Sequence, residues 1–246
     1  MIYEKIAEKT LPKLAVLIDP DKQSVDNLMT LIKLAVRCKT DFFFVGGSLL
    51  LENRFEETIT TIKQQCSIPI IIFPGNNYQV SKQADAILFL SLISGRNAEF
   101  LIGQQVVAAP LIKEAGLEVI PTGYMLIYGG RISTTSYMTQ TIPLPNDKPD
   151  IAAATALAGE MLGMKTIYLE AGSGAENCVS ASIIKAVKQT IRIPLIVGGG
   201  IRSGEQAEEI AKAGADVIVV GNVLEKEPEL LMEISLGVHG TNKINE

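Results

Sequence analysis

The sequence predicts a single (β/α)8, or TIM, barrel of the α/β class, and three observations carry that prediction. The chain has 246 residues, close to the ~250 typical of one such barrel. Eight short apolar runs recur along it, separated by segments with helical periodicity. The runs lack polar–apolar alternation, as expected of parallel strands covered on both faces. Strand–helix alternation implies a parallel sheet, and eight repeats imply that the sheet closes.

The runs cover residues 14–18, 42–45, 69–73, 86–90, 117–121, 166–169, 193–197 and 217–220. Helical periodicity marks residues 24–38, 53–65, 150–162, 181–190 and 204–213. Two intervals break the rhythm. Residues 75–85 leave little room for a crossover helix, so a reduced or replaced third helix is expected. Residues 124–149, with Gly129, Gly130, Pro143, Pro145 and Pro149, read as a long loop after strand five, either a lid or a surface insertion. No linker or composition shift divides the chain, so residues 1–246 read as one domain.

Bulk composition excludes several functions. A net charge of −5, from 22 basic and 27 acidic residues, argues against a nucleic-acid partner. Hydrophobic residues reach 47%, ample for a large core. Cys38, Cys66 and Cys178 are scattered, which suits a reduced cytoplasmic protein better than a disulfide scaffold. The opening MIYEKIAEKT has no apolar core, so neither a signal peptide nor a membrane span is expected there. The only histidine, His239, sits near the C-terminus and reads as a solvated surface residue. Histidine-based hydrolysis, zinc ligation and acid–base chemistry are therefore not expected. Carboxylates, Tyr, Lys or a metal remain.

Active sites of these barrels lie at the C-terminal strand ends. Gly198-Gly199-Gly200 follows strand seven and Gly221-Asn222 follows strand eight. Glycines admit an anion close to backbone N–H groups, and helix N-termini add partial positive charge. Two glycine turns on these consecutive strands predict a phosphate site, to which Ser173 adds a hydroxyl. Asp19 and Asp21 follow strand one and Ser48 follows strand two. These are hard oxygen donors of the kind magnesium takes in small number, although Asp-Pro-Asp is also an ordinary turn. Glu170 ends strand six, on the same side as Tyr168 by the two-residue period. It suits either a hydroxyl-binding or proton-accepting role or a structural salt bridge.

Together the segments Leu17-Ile18-Asp19-Pro20-Asp21, Val45-Gly46-Gly47-Ser48, Tyr168-Leu169-Glu170-Ala171-Gly172-Ser173-Gly174, Val197 through Ser203 and Gly221-Asn222 resemble the geranylgeranylglyceryl phosphate synthase family. The likeness runs from strand one to strand eight. It implies a barrel with a replaced third helix that joins sn-glycerol 1-phosphate to a polyprenyl diphosphate, geranylgeranyl in the Ala-Gly-Ser-Gly form of the motif. It implies Mg2+ at Asp19 and Ser48, and glycerol phosphate on Tyr168, Leu169, Glu170, Ala171, Gly172, Ser173, Gly174, Gly198, Gly199, Gly200, Gly221 and Asn222. Glu170 and Tyr168 become the catalytic candidates, and Tyr124 and Tyr128 candidate borders of the prenyl groove. The family's dimers or hexamers imply a homo-oligomer, and its lipid donor implies contact with a membrane surface. Rival readings are a barrel isomerase or aldolase using Lys22 as a Schiff base, a flavin-binding barrel, and a non-catalytic scaffold.

Overall fold

The computed structural model describes residues 1–9, 11–52 and 54–240. Eight parallel strands close into a barrel in sequence order: β1 (Lys13–Ile18), β2 (Phe42–Val45), β3 (Ile70–Ile72), β4 (Ala86–Leu92), β5 (Glu118–Leu126), β6 (Thr166–Glu170), β7 (Leu195–Gly198) and β8 (Val217–Val220). The helices are α1 (Ile2–Ala7), α2 (Val25–Arg37), α3 (Phe55–Gln65), α4 (Gln104–Ala115), α5 (Thr134–Thr139), α6 (Pro149–Met161), α7 (Ala181–Thr190), α8 (Gly204–Ala213) and α9 (Leu230–His239). Asn53, expected to open the second helical segment, lies outside the described residues.

Side-chain alternation along each strand sorts the core into two layers. Phe42 and Phe44 point into the barrel with Ala15, Ile71, Leu88, Ile120, Ile196 and Val219. Phe43 and Val45 point outward with Leu14, Val16 and Ile70, against the helices. Both faces are dry, which is why the strands read as continuous apolar runs. The opening residues, unassigned by periodicity, form α1 and plug the N-terminal end. Ile6 joins the interior cluster, and the Ile2 and Tyr3 amides donate to the Glu118 carboxylate at 2.6 and 2.8 Å.

No helix separates β3 from β4 among the described residues. The segment is pinned instead by Gln79. Its Oε1 accepts from the amides of Gly75 and Gly47, and its Nε2 donates to Gly47 O at 2.8 Å. The space a third helix would fill is left open beside Ile87, Phe89, Ala108 and Ile112.

Several boundaries differ from expectation. β5 continues through Thr122-Gly123-Tyr124 to Leu126, so those residues lie within the strand rather than after it. Gly123 sits in the ladder because a Cβ there would meet Ile93 and Ile167 side-chain carbons at 2.8 and 2.9 Å. Close packing, not a turn, explains the glycine. The interval that follows carries α5. α4 contains Pro110, which masked it as a helix. His239 also departs from expectation. It is buried rather than solvated, with Nε2 3.0 Å from Asp41 Oδ2 and Nδ1 3.3 Å from Ser235 Oγ. Ser235 in turn donates to Cys38 O at 2.8 Å. This cluster ties α9 to the corner between α2 and β2, at the barrel end opposite the mouth. Tail position alone carried no information about the packing of α9.

Candidate active site

A cavity of about 940 Å³ opens at the C-terminal strand ends. Its wall contains Asp19, Ser48, Tyr168, Glu170, Ser173, Gly174, Gly199, Gly200, Gly221 and Asn222, so most of the expected site residues converge there. Gly198 and Gly172 stand behind the wall. Leu169 and Ala171 turn their side chains into the outer helix-facing layer, leaving only their backbone for the site.

Glu170 ends β6 and is almost fully buried. Its Oε1 accepts the Gly172 amide at 2.7 Å. Burial raises its carboxyl pKa from 4.5 to about 7, against the lowering effects of the Gly172 amide and of Tyr168. Tyr168 is fully buried, stacked on Phe73 at 5.0 Å and edge-on to Tyr124 at 5.4 Å. Its hydroxyl makes no hydrogen bond of full geometry, although the Glu170 carboxyl is close enough for each to affect the other. Burial first, then the Glu170 charge, push the Tyr168 and Tyr124 phenols well above 10. Both therefore remain protonated, as donors and spacers rather than bases.

The glycine triplet serves this carboxylate as well as an anion. A Cβ on Gly198 would come 2.6 Å from Tyr168 Oη. One on Gly199, where φ is +89°, would come 2.5 Å from Glu170 Oε1 and 2.7 Å from the Gly172 amide. Only glycine lets β7 lie against the Tyr168–Glu170 pair. Across the cavity, Asn222 Oδ1 accepts from Ser173 Oγ at 2.9 Å and from the Gly174 amide at 3.1 Å. Two donors of the β6 turn thus already converge on one oxygen. The first N–H groups of the short helix Asn222–Glu225 lack intrahelical partners. Glycine turns, a hydroxyl and helix-start amides together form a donor-lined cup, suited to an anion, with Glu170 at its inner edge.

Asp19 and Ser48 occupy the neighbouring ends of β1 and β2, whose register pairs Ile18 with Val45. A Cβ on Gly47 would lie 3.0 Å from Asp19 Oδ1, so that carboxylate rests against the peptide preceding Ser48. Asp19 Oδ2 pairs with Lys22 Nζ at 3.2 Å, and Lys22 Nζ is 3.8 Å from Glu225. Asp21 turns away from the cavity and caps the amides of Leu51 and Glu52. One carboxylate and one hydroxyl, both hard and cavity-facing, suit an octahedral ion that takes most of its ligands from water and phosphate. Among the described residues no group of three His, Cys, Asp or Glu could hold a metal.

The loop after β5 supplies residues that sequence reasoning missed. Thr135 Oγ1 lies 3.0 Å from Ser48 Oγ and hydrogen-bonds Tyr124. Arg131, Thr134, Met138 and Thr139 also border the cavity. Only the Gly129-Gly130 pair signalled them in the sequence. Tyr124, expected beside a prenyl groove, borders the cavity, whereas Tyr128 lies off it, with its hydroxyl donating to Gly130 O at 2.8 Å. Burial pushes the Cys178 thiol up to about 11 and raises Cys38, so neither offers a thiolate near neutral pH.

Fold and mouth together define an enzyme-like (β/α)8 barrel whose donor-lined mouth suits a phosphate. Comparison with known proteins narrows the class. The PcrB family profile matches residues 5–237, and the chain belongs to that family. A geranylgeranylglyceryl phosphate synthase of Spirosoma linguale is 55% identical over 93% of this chain and 92% of that protein. One from Korarchaeum cryptofilum is 45% identical over 93% of each. The crystal structure of (S)-3-O-geranylgeranylglyceryl phosphate synthase from Thermoplasma acidophilum, in complex with its substrate sn-glycerol-1-phosphate, superposes with a TM-score of 0.92 at 34% identity. The alignment covers 97% of this chain and 98% of that one. Similarity to a thiamine phosphate pyrophosphorylase from Pyrococcus furiosus, 14% identical with a TM-score of 0.57, shows the barrel fold alone.

Proposed function

We propose that the chain transfers a geranylgeranyl group from its diphosphate to the C3 hydroxyl of sn-glycerol 1-phosphate, forming an ether and releasing diphosphate. The observation that carries this reading is Glu170. It is a buried carboxyl with a pKa of about 7, set between an anion cup and an apolar groove. A general base works best when its pKa lies near the operating pH. The relative crystallised with glycerol phosphate supports the choice of acceptor.

Glycerol phosphate sits with its phosphate in the cup formed by Ser173, Gly174, Gly199, Gly200, Gly221 and Asn222. Its C3 hydroxyl then faces Glu170, which takes the proton as the C3 oxygen bonds to the allylic carbon. Tyr168 positions the carboxyl and keeps its own proton. The prenyl tail runs down the groove left by the missing helix, past Phe89, Ala108 and Ile112. Asp19 and Ser48 would hold Mg2+, which would supply neutralising charge for the departing diphosphate. Fixing both substrates in one cavity makes the attack local, worth up to ~7–11 kcal/mol in well-aligned cases.

Among the described residues no helix is long and apolar enough to cross a membrane. Under this reading the donor is met at a membrane surface, and the family likeness implies a cytoplasmic homo-oligomer, dimer or hexamer. The test is a mass-spectrometric product assay with sn-glycerol 1-phosphate and prenyl diphosphates of several lengths, with and without magnesium. A prenyl glyceryl ether phosphate of geranylgeranyl length is expected. No ether from any donor would end the proposal. The Schiff-base rival is disfavoured by the engagement of Lys22 Nζ with two carboxylates.

A further inference from the structure

The anion cup is short of positive charge. Its backbone and hydroxyl donors are neutral, while Glu170, Asp19 and Glu225 all border the same cavity. A phosphate dianion placed there needs a cation that is not already committed. Lys22 is held by Asp19 and Glu225. Arg202 and Lys226 also line the cavity, but Arg202 spends its Nη2 on Ala175 O at 2.6 Å, and among the described residues no hydrogen bond ties Lys226 to the Ser173–Gly174 turn.

Arg131 meets the requirement, and the chain goes to some length to place it. The Glu176 and Asn177 amides donate to Gly129 O at 2.8 and 3.0 Å, clamping the loop after β5 onto the turn after β6. A Cβ on Gly129 would lie 2.6 Å from Ala175 Cβ. One on Gly130, where φ is +95°, would lie 2.9 Å from Asn177 Nδ2 and from Glu176 Cβ. Both glycines are thus demanded by close approach. The next residue, Arg131, is delivered onto the β6 turn. Its Nη2 is the atom nearest the open face of Gly174 and donates to Ser173 O at 3.3 Å. That contact uses one of five guanidinium donors. The Ser173 hydroxyl and Gly174 amide of the same turn point into the cup.

We propose that Arg131 binds the phosphate of the acceptor substrate from the solvent side, so that the loop after β5 is part of the acceptor site. The proposal rests on the glycerol phosphate reading above. A planar fork suits phosphate oxygens better than a point charge, so lysine should rescue only in part.

The test is titration calorimetry of sn-glycerol 1-phosphate into the full chain, beside steady-state kinetics. Arg131→Ala is expected to weaken binding about 10- to 100-fold, as for loss of a charged hydrogen bond. Arg131→Lys should fall between. The KM for glycerol phosphate should rise while the KM for the prenyl diphosphate stays within twofold, and unchanged melting curves would show that the variants fold. An Arg131→Ala affinity within twofold of the parent would overturn the proposal, as would a loss seen in Arg202→Ala but not in Arg131→Ala. Inorganic phosphate separates this idea from the acceptor assignment. If the parent binds phosphate in an Arg131-dependent way but not glycerol phosphate, the acceptor reading fails while the anion contact stands.

Discussion

Replacing Glu170 with glutamine should make the protein more stable and inactive at the same time. Glutamine keeps the shape and an oxygen for the Gly172 amide, but carries no charge to bury. The displacement of the Glu170 carboxyl from 4.5 to about 7 spans 2.5 pH units, about 3 kcal/mol at 1.36 kcal/mol per unit. The sign follows from proton counting. Between pH 4.5 and 7 the folded protein holds this proton and the unfolded chain releases it, so stability falls as pH rises across that window. Below it the two proteins should unfold alike. Above it Glu170→Gln should be more stable by about 3 kcal/mol, or ~6–12 °C in Tm for a chain of this size. Urea unfolding at several pH values between about 4 and 9 measures the gap directly. Parent activity should rise with pH through about 7 as the base ionises, and the variant should stay inactive throughout. A stability difference that does not widen with pH, or a variant with parental turnover, would refute the assignment of Glu170 as a buried base.

Three further outcomes are expected. Asp19→Asn should lower turnover at least ~100-fold, since a bound metal supplies several kcal/mol of charge stabilisation. A magnesium titration with unchanged rate and midpoint would remove the metal from Asp19. Gly199→Ala places a Cβ 2.5 Å from Glu170 Oε1 at a φ of +89°. Left-handed strain of ~1–2 kcal/mol and overpacking of ~1–3 kcal/mol should appear in denaturation curves, with loss of glycerol phosphate binding by calorimetry. His239→Ala removes one partner of Asp41 at the far end of the barrel, the Leu14 amide remaining, and should cost ~1–3 kcal/mol of stability. Its kcat should stay at the parental value, and a selective fall in kcat would contradict a purely structural role.

Gly198 and Gly199 leave room for Tyr168 and Glu170, and under the proposed reading also for an anion, so a substitution there would disturb base and cup together. Effects at these positions will therefore not add simply to those at Glu170.

Much of this was legible along the chain. Runs of apolar residues revealed the strands because both faces of a closed parallel sheet are dry, and a short interval revealed the missing helix because a crossover needs length. Asp19, Glu170 and the glycine turns were readable because each follows or ends a strand, as was Ser48 one short turn beyond β2, and strand ends converge at the mouth. What only the tertiary structure decided were the contacts between segments far apart in sequence. The reach of β5 to Leu126, the burial of His239 against Asp41, the contact of Thr135 with Ser48 and the placement of Arg131 over Gly174 all depend on which loop lies against which. Local propensity does not encode such contacts, because the neighbour that requires glycine at 123 in the strand or at 129 in the loop comes from another turn of the barrel.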